Sequence, residues 1–70
     1  MAEIRAEMVA NVWKVVAAQG DQVDDGDTLV ILESMKMEIP VLAEASGTVI
    51  ILHVAEGDVV QEGDLIAEIG

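Results

Sequence analysis

The apolar positions along this chain fall in short runs of valine, isoleucine and leucine, each closed by a Gly-Asp pair or a polar patch. Asn11 to Val16, Thr28 to Leu32, Thr48 to Val54 and Leu65 to Ile69 are the main runs. β-Branched residues dominate them, which favours strands over helices. At the Gly-Asp pairs, glycine can take a positive φ and aspartate can bond the turn backbone. Leu29 to Leu32 is apolar at every position, as expected of a strand covered on both faces. Val23 and Val59-Val60 are expected to dip into the core between two turns.

These elements repeat. Gly20-Asp21-Gln22-Val23-Asp24-Asp25-Gly26-Asp27 is echoed by Gly57-Asp58-Val59-Val60-Gln61-Glu62-Gly63-Asp64, 37 residues on, both reading G-D-x-V-x-x-G-D. The register extends upstream through Val12 over Val49 and Ala18 over Ala55, and downstream through Leu29 over Ile66 and Leu32 over Ile69. Two related halves are predicted, each reading strand, turn, short extended piece, turn, strand.

Between the halves, Thr28 to Ala43 contains no glycine and only Pro40 as a breaker. A single strand of that length would be about twice the usual five or six residues and would overrun so small a core. The chain must therefore turn back, and the apolar pattern breaks only across Glu33-Ser34-Met35-Lys36-Met37-Glu38. A tight turn is expected at or beside Met35-Lys36, although the same residues would also tolerate a helical turn. A two-residue hairpin ordinarily uses Asn-Gly, because positive φ is costly for a residue with a Cβ. A turn built from Met and Lys points to a local cost tolerated for function. The 37-residue shift sets the counterpart of Lys36 in the gap between the chain ends, so this hairpin should lie opposite both termini. A carrier tethered by a terminus would gain reach from that placement.

Composition narrows the possibilities. Seventy residues without cysteine make one domain, residues 1–70, that must be stabilised by aliphatic packing. With His53 the only histidine, no Cys/His zinc site can form. A net charge of −11 opposes nucleic acid and anionic membranes as partners. No apolar run reaches transmembrane length, and the first residues lack the basic start and apolar stretch of a signal peptide. The expected setting is cytoplasmic, and the expected state a monomer.

Lys36 is one of only two lysines, flanked by Met35 and Met37 and then, beyond Ser34 on one side, by Glu33 and Glu38. Exposed methionines at a turn suit an adaptable contact with an apolar partner surface. The hexapeptide, together with Ser46-Gly47-Thr48-Val49 and the paired G-D-x-V-x-x-G-D segments, resembles the biotinyl/lipoyl attachment domain of the biotin carboxyl carrier type over almost the whole chain. Met-Lys-Met is its most specific element, since lipoyl domains more often carry Asp-Lys-Ala or Val-Lys-Ala there. The resemblance implies an all-β, flattened barrel or sandwich of two four-stranded antiparallel sheets with a pseudo-twofold, hammerhead-like repeat. It implies biotin amide-linked to Lys36 and a ligase-recognition surface of Met35, Met37, Glu33, Ser34 and Glu38. The partners implied are biotin protein ligase and the biotin carboxylase and carboxyltransferase subunits between which carboxyl groups are shuttled. Ser34 stands where alanine is commonest in the family, and Glu44 where proline is frequent.

Other chemistry is less well supported. Ser34 and Lys36 have the spacing of a serine-lysine pair on one strand face, but such a pair needs a pocket and oxyanion donors. His53 has no nucleophile partner and is expected to be solvent-facing or capped. Asp24-Asp25-Gly26-Asp27 lacks the spacing of a calcium loop, so turn chemistry is expected there. Trp13 could be core or surface. The rival functions are a lipoyl carrier, which would share fold and anchor, and an unmodified interaction barrel, which would use the methionines alone.

Overall fold

The computed structural model describes residues 2–70 and is entirely β. In chain order its strands are β1 (Ala2–Arg5), β2 (Ala10–Val15), β3 (Gln22–Val23), β4 (Thr28–Ser34), β5 (Met37–Leu42), β6 (Gly47–Leu52), β7 (Val59–Val60) and β8 (Leu65–Ile69). They form two antiparallel four-stranded sheets, ordered β1-β8-β6-β3 and β5-β4-β2-β7. The 37-residue shift carries β2 onto β6, β3 onto β7 and β4 onto β8, and moved backward it carries β5 onto β1. The strand order of one sheet thus reproduces that of the other. The β4–β5 hairpin has as its counterpart the β8–β1 pair, which is joined only across the gap between the chain ends. β1 itself was not signalled by its four-residue apolar pattern.

Four equivalent turns make this arrangement. Asp21, Asp27, Asp58 and Asp64 each donate a backbone N–H to the carbonyl three residues earlier and accept, at Oδ2, the N–H of that same earlier residue. The preceding glycines, Gly20, Gly26, Gly57 and Gly63, all have φ between 91 and 96°. This is the conformation a type II turn requires at its third residue. The turns also stitch the sheets together, since the Gly20 N–H donates to the Val49 carbonyl and, across the pseudo-twofold, the Gly57 N–H donates to Val12.

Side chains of both sheets meet in a core of Ile4, Val12, Leu29, Val30, Leu32, Val49, Ile66 and Ile69 with smaller neighbours. Among the described residues no polar or charged residue is buried. The Leu29–Leu32 run is not covered on both faces. A register shift between Thr28 and Val30 lets the consecutive Leu29 and Val30 both face inward, while Ile31 lies half-buried on the outer face. Ile66 and Ala67 repeat this device in β8. A bulge thus produces the unbroken apolar run that sequence pattern attributes to double coverage. Of the β7 pair only Val60 enters the core, and Val59 points out. Trp13 occupies a bulge in β2 and is 46% exposed, so the lone aromatic is a surface residue.

The hairpin lies at the end remote from Ala2 and Gly70. Gly70 exchanges backbone bonds with Thr48, and Ala2 pairs with Ile69, which pairs with Val49. Val49 bonds Gly20 and Asp21, in the turn that follows Val16, whose N–H donates to Leu29 at the start of β4. The other end of β4 is the Ser34–Met37 closing pair, seven residues and about 20 Å away at the usual strand rise.

Two substitutions test this account of the turns and their packing. Asp58→Ala, which removes the acceptor of the Ala55 N–H 2.9 Å away, should cost about 1 kcal/mol in urea denaturation. Gly47→Ala should cost more, about 1–3 kcal/mol, because a Cβ there would run into the Gly70 carbonyl oxygen.

Candidate functional site

The hairpin is closed by the Ser34–Met37 pair, which leaves Met35 and Lys36 as its two loop residues. Their φ values are 52° and 66°, and they are the only non-glycine residues with positive φ among those described. Positive φ at both central positions is the mark of a type I′ turn, whose twist matches that of the flanking strands. The strand register dictates this conformation against residue preference. Left-handed backbone costs a residue with a Cβ about 1–2 kcal/mol, and neither Met nor Lys has the short polar side chain that eases it.

Four of the six side chains around the turn are displayed. Met35 is 92% and Met37 65% exposed, and Lys36 and Glu38 are also exposed, while Glu33 and Ser34 are half-buried. The ion pairs of the described residues are Arg5–Glu3 and His53–Glu68, so the Lys36 ammonium is not tied to a carboxylate. Glu33 and Glu38 are directly opposed cross-strand partners. Like charges in that relation are destabilising, so the acidic flank of the lysine is a second local cost. All six residues singled out from the sequence therefore come together here, on three successive rungs of one hairpin.

Lys36 does not line a cleft. The groove of about 310 Å³ in the surface runs between edge strands β1 and β5, over Ile4, Met8, Leu32, Ile39 and Leu42. Ser34 and Lys36 sit on opposite sides of the turn's first residue and do not share a strand face, which removes the geometry of a serine-lysine pair. His53, just past the end of β6, has Nε2 2.9 Å from Glu68 Oε2 on the neighbouring strand β8 of the same sheet, making it a capped structural histidine. Asp24 and Asp27 bond each other's segment in a turn, and no group of three metal-ligating side chains occurs among the described residues. Val9 and Val59 also stand exposed at this end of the domain, and nothing in their local sequence signalled it.

The exposed amine stands on a strained tip, outside the groove between β1 and β5. It suits a group joined covalently to Nζ and carried into the active sites of other proteins. The fold and this site together define a prosthetic-group attachment domain. Residues 2–69 match the family model described as "Biotin-requiring enzyme", and the chain belongs to that biotin/lipoyl attachment family.

The chain is 61% identical over 67 residues to a biotinylated protein, the TB7.3 homolog of Mycobacterium leprae, covering 96% of this chain and 94% of that protein. Among solved structures, the Kluyveromyces lactis urea carboxylase superposes with a TM-score of 0.92 at 42% identity, over 99% of this chain and 6% of that one. The lipoyl domain of the Azotobacter vinelandii 2-oxoglutarate dehydrogenase complex gives a TM-score of 0.77 at 25% identity, over 96% of this chain and 95% of that domain. The fold is shared with both structures, and sequence identity is higher to the biotinylated protein and the urea carboxylase than to the lipoyl domain.

Relieving the strained turn should separate stability from function. The double variant Met35→Asn, Lys36→Gly supplies the preferred residues of a type I′ loop and should gain about 1–2 kcal/mol in urea denaturation. A loss of stability would show that the native turn carries no strain.

Proposed function

We propose that this protein is a biotin carboxyl carrier, with biotin amide-linked to Nζ of Lys36. The observation that carries the reading is the exposed, strained Met35-Lys36 loop, which lies outside the surface groove between β1 and β5. The chain is itself a carrier and not an enzyme. When bound, biotin supplies a ureido nitrogen able to take up a carboxyl group, and the difficult chemistry belongs to it and to the partner active sites.

The chain's own residues supply attachment, display and approach. Lys36 provides the amine, which, once it has given up a proton, attacks an activated acyl carbon and displaces its activating group to leave an amide. Met35 and Met37 give the ligase an adaptable apolar surface on either side of that amine. Glu33 and Glu38 add negative charge that steers a cationic active-site rim toward it, and Ser34 closes the hairpin opposite Met37. The rigid double-sheet barrel keeps the long arm projecting outward, so a group on it visits nearby active sites at high effective concentration.

The carboxylase found among the structural relatives supports partners of that class, and biotin protein ligase, biotin carboxylase and carboxyltransferase are the specific partners proposed. A monomer in the cytoplasm, where ATP for ligation is available, completes the reading. The lipoyl alternative shares the fold, but Met35 and Met37 and the higher identity to a biotinylated protein favour biotin.

Intact mass after co-expression with an active biotin ligase tests this directly. Wild type should gain the mass of one biotinyl group. Lys36→Ala should gain nothing although Lys14 remains, because Lys14 lies within β2, paired with Ile31 of β4, and not at the tip of a turn. A lipoyl mass, or no gain under conditions that label a known carrier, would refute the assignment.

A further inference from the structure

The four most exposed large apolar side chains of the described residues are Met35, Met37, Val59 and Val9, at 92, 65, 65 and 62%. The remaining exposed ones reach at most 52%, at Val16. Only two of the four belong to the hairpin, yet all lie at its end of the domain. Asn11 pairs with Glu33 on one side and with Val59 on the other, so Glu38, Glu33, Asn11 and Val59 form one row across the sheet. Adjacent strands are about 4.8 Å apart, which sets Val59 about 10 Å from Glu33. Val9 precedes Ala10, which faces the core, so strand alternation turns Val9 to the same outer face as Asn11 and Val59. It immediately precedes β2, the strand that pairs with β4 of the lysine hairpin.

This end is thus an apolar rim drawn from three separated segments, with the opposed Glu33 and Glu38 carboxylates inside it. An enzyme that acylates Nζ must bring its activated carbonyl to within about 3 Å of the amine. A standard protein contact covers about 800 Å² on each partner, enough to take in Val9 and Val59 as well as the methionines. Enzymes that act on the far end of a long arm have no such need to press against the domain beside Lys36.

We propose that Val9 and Val59 act with Met35 and Met37 as the docking surface for the enzyme that acylates Lys36, and that the matching enzyme surface is apolar with cationic residues facing Glu33 and Glu38. Recognition then reads the folded end of the barrel, because Val9 and Val59 reach the hairpin only through strand pairing. The inference rests on the reading that Lys36 is acylated. A second copy of this chain is a poor occupant, since two such ends would bring four carboxylates together at −11 net charge per chain.

The test compares steady-state biotinylation of wild type, Val9→Asp, Val59→Asp and Val59→Thr by a biotin protein ligase, followed by intact mass, with Val16→Asp as the control at the opposite end. Val9→Asp and Val59→Asp should raise KM at least tenfold at unchanged kcat, as loss of docking contacts does. Melting temperatures should stay within about 2 °C of wild type, as for exposed substitutions. Val59→Thr keeps the strand preference of the site and should raise KM several-fold even if Val59→Asp weakens folding. Val16→Asp should leave both constants unchanged. Wild-type constants for folded Val9→Asp and Val59→Asp, or an equal effect of Val16→Asp, would overturn the proposal. A wild-type dimer that Val9→Asp dissolves in sedimentation would assign the rim to self-association and overturn it as well. If wild type itself takes up no biotin, the assignment of Lys36 fails, a result distinct from unchanged kinetics in the variants.

Discussion

Four aspartate-capped turns hold this domain in shape. In each, one carboxylate oxygen accepts the N–H at the start of a turn whose glycine must be left-handed, and the same aspartate's N–H closes the turn. With no cysteine, a core of aliphatic side chains and no polar residue buried among the described residues, these turns are what bring two sheets of short strands into register. Because they recur at the same positions in each half, they generate the pseudo-twofold. That symmetry in turn leaves a single covalent hairpin, β4–β5, standing opposite the chain ends. The position of the lysine is therefore a consequence of turn chemistry elsewhere in the chain.

The hairpin departs from the economy of the rest. Elsewhere left-handed backbone falls on glycine, while here it falls on Met35 and Lys36, and two glutamates oppose each other one rung below. Such concentrated costs are tolerated when surrounding structure over-determines them. β4 is an interior strand with partners on both sides, and its register leaves two residues to make the reversal. The strained turn holds the lysine at the apex of the hairpin.

Much of this was legible in the sequence, for identifiable reasons. Gly-Asp turns demand particular residue types, so the repeat and the two-halved barrel could be read directly from G-D-x-V-x-x-G-D. The hairpin could be located because the apolar runs break only there, and its six candidate residues are contiguous. The bulges were not legible, since Leu29 beside Val30 looks the same whether a strand is covered on both faces or bulged on one. β1 is too short to show a pattern of its own. The exposure of Val9 and Val59 also depends on which way a very short strand faces, and strand pairing decides that. The parts of the site within one segment could be found from sequence, and the parts assembled by the sheet could not.

The central claim, that this domain carries carboxyl groups on Lys36, is met most directly by incubating the biotinylated protein with biotin carboxylase, ATP and radiolabelled bicarbonate. The acid-labile label on the protein is then counted. The account predicts label in proportion to the biotinylated fraction and none on Lys36→Ala. Fully biotinylated protein that takes up no label, under conditions where a known carrier is labelled, would contradict it.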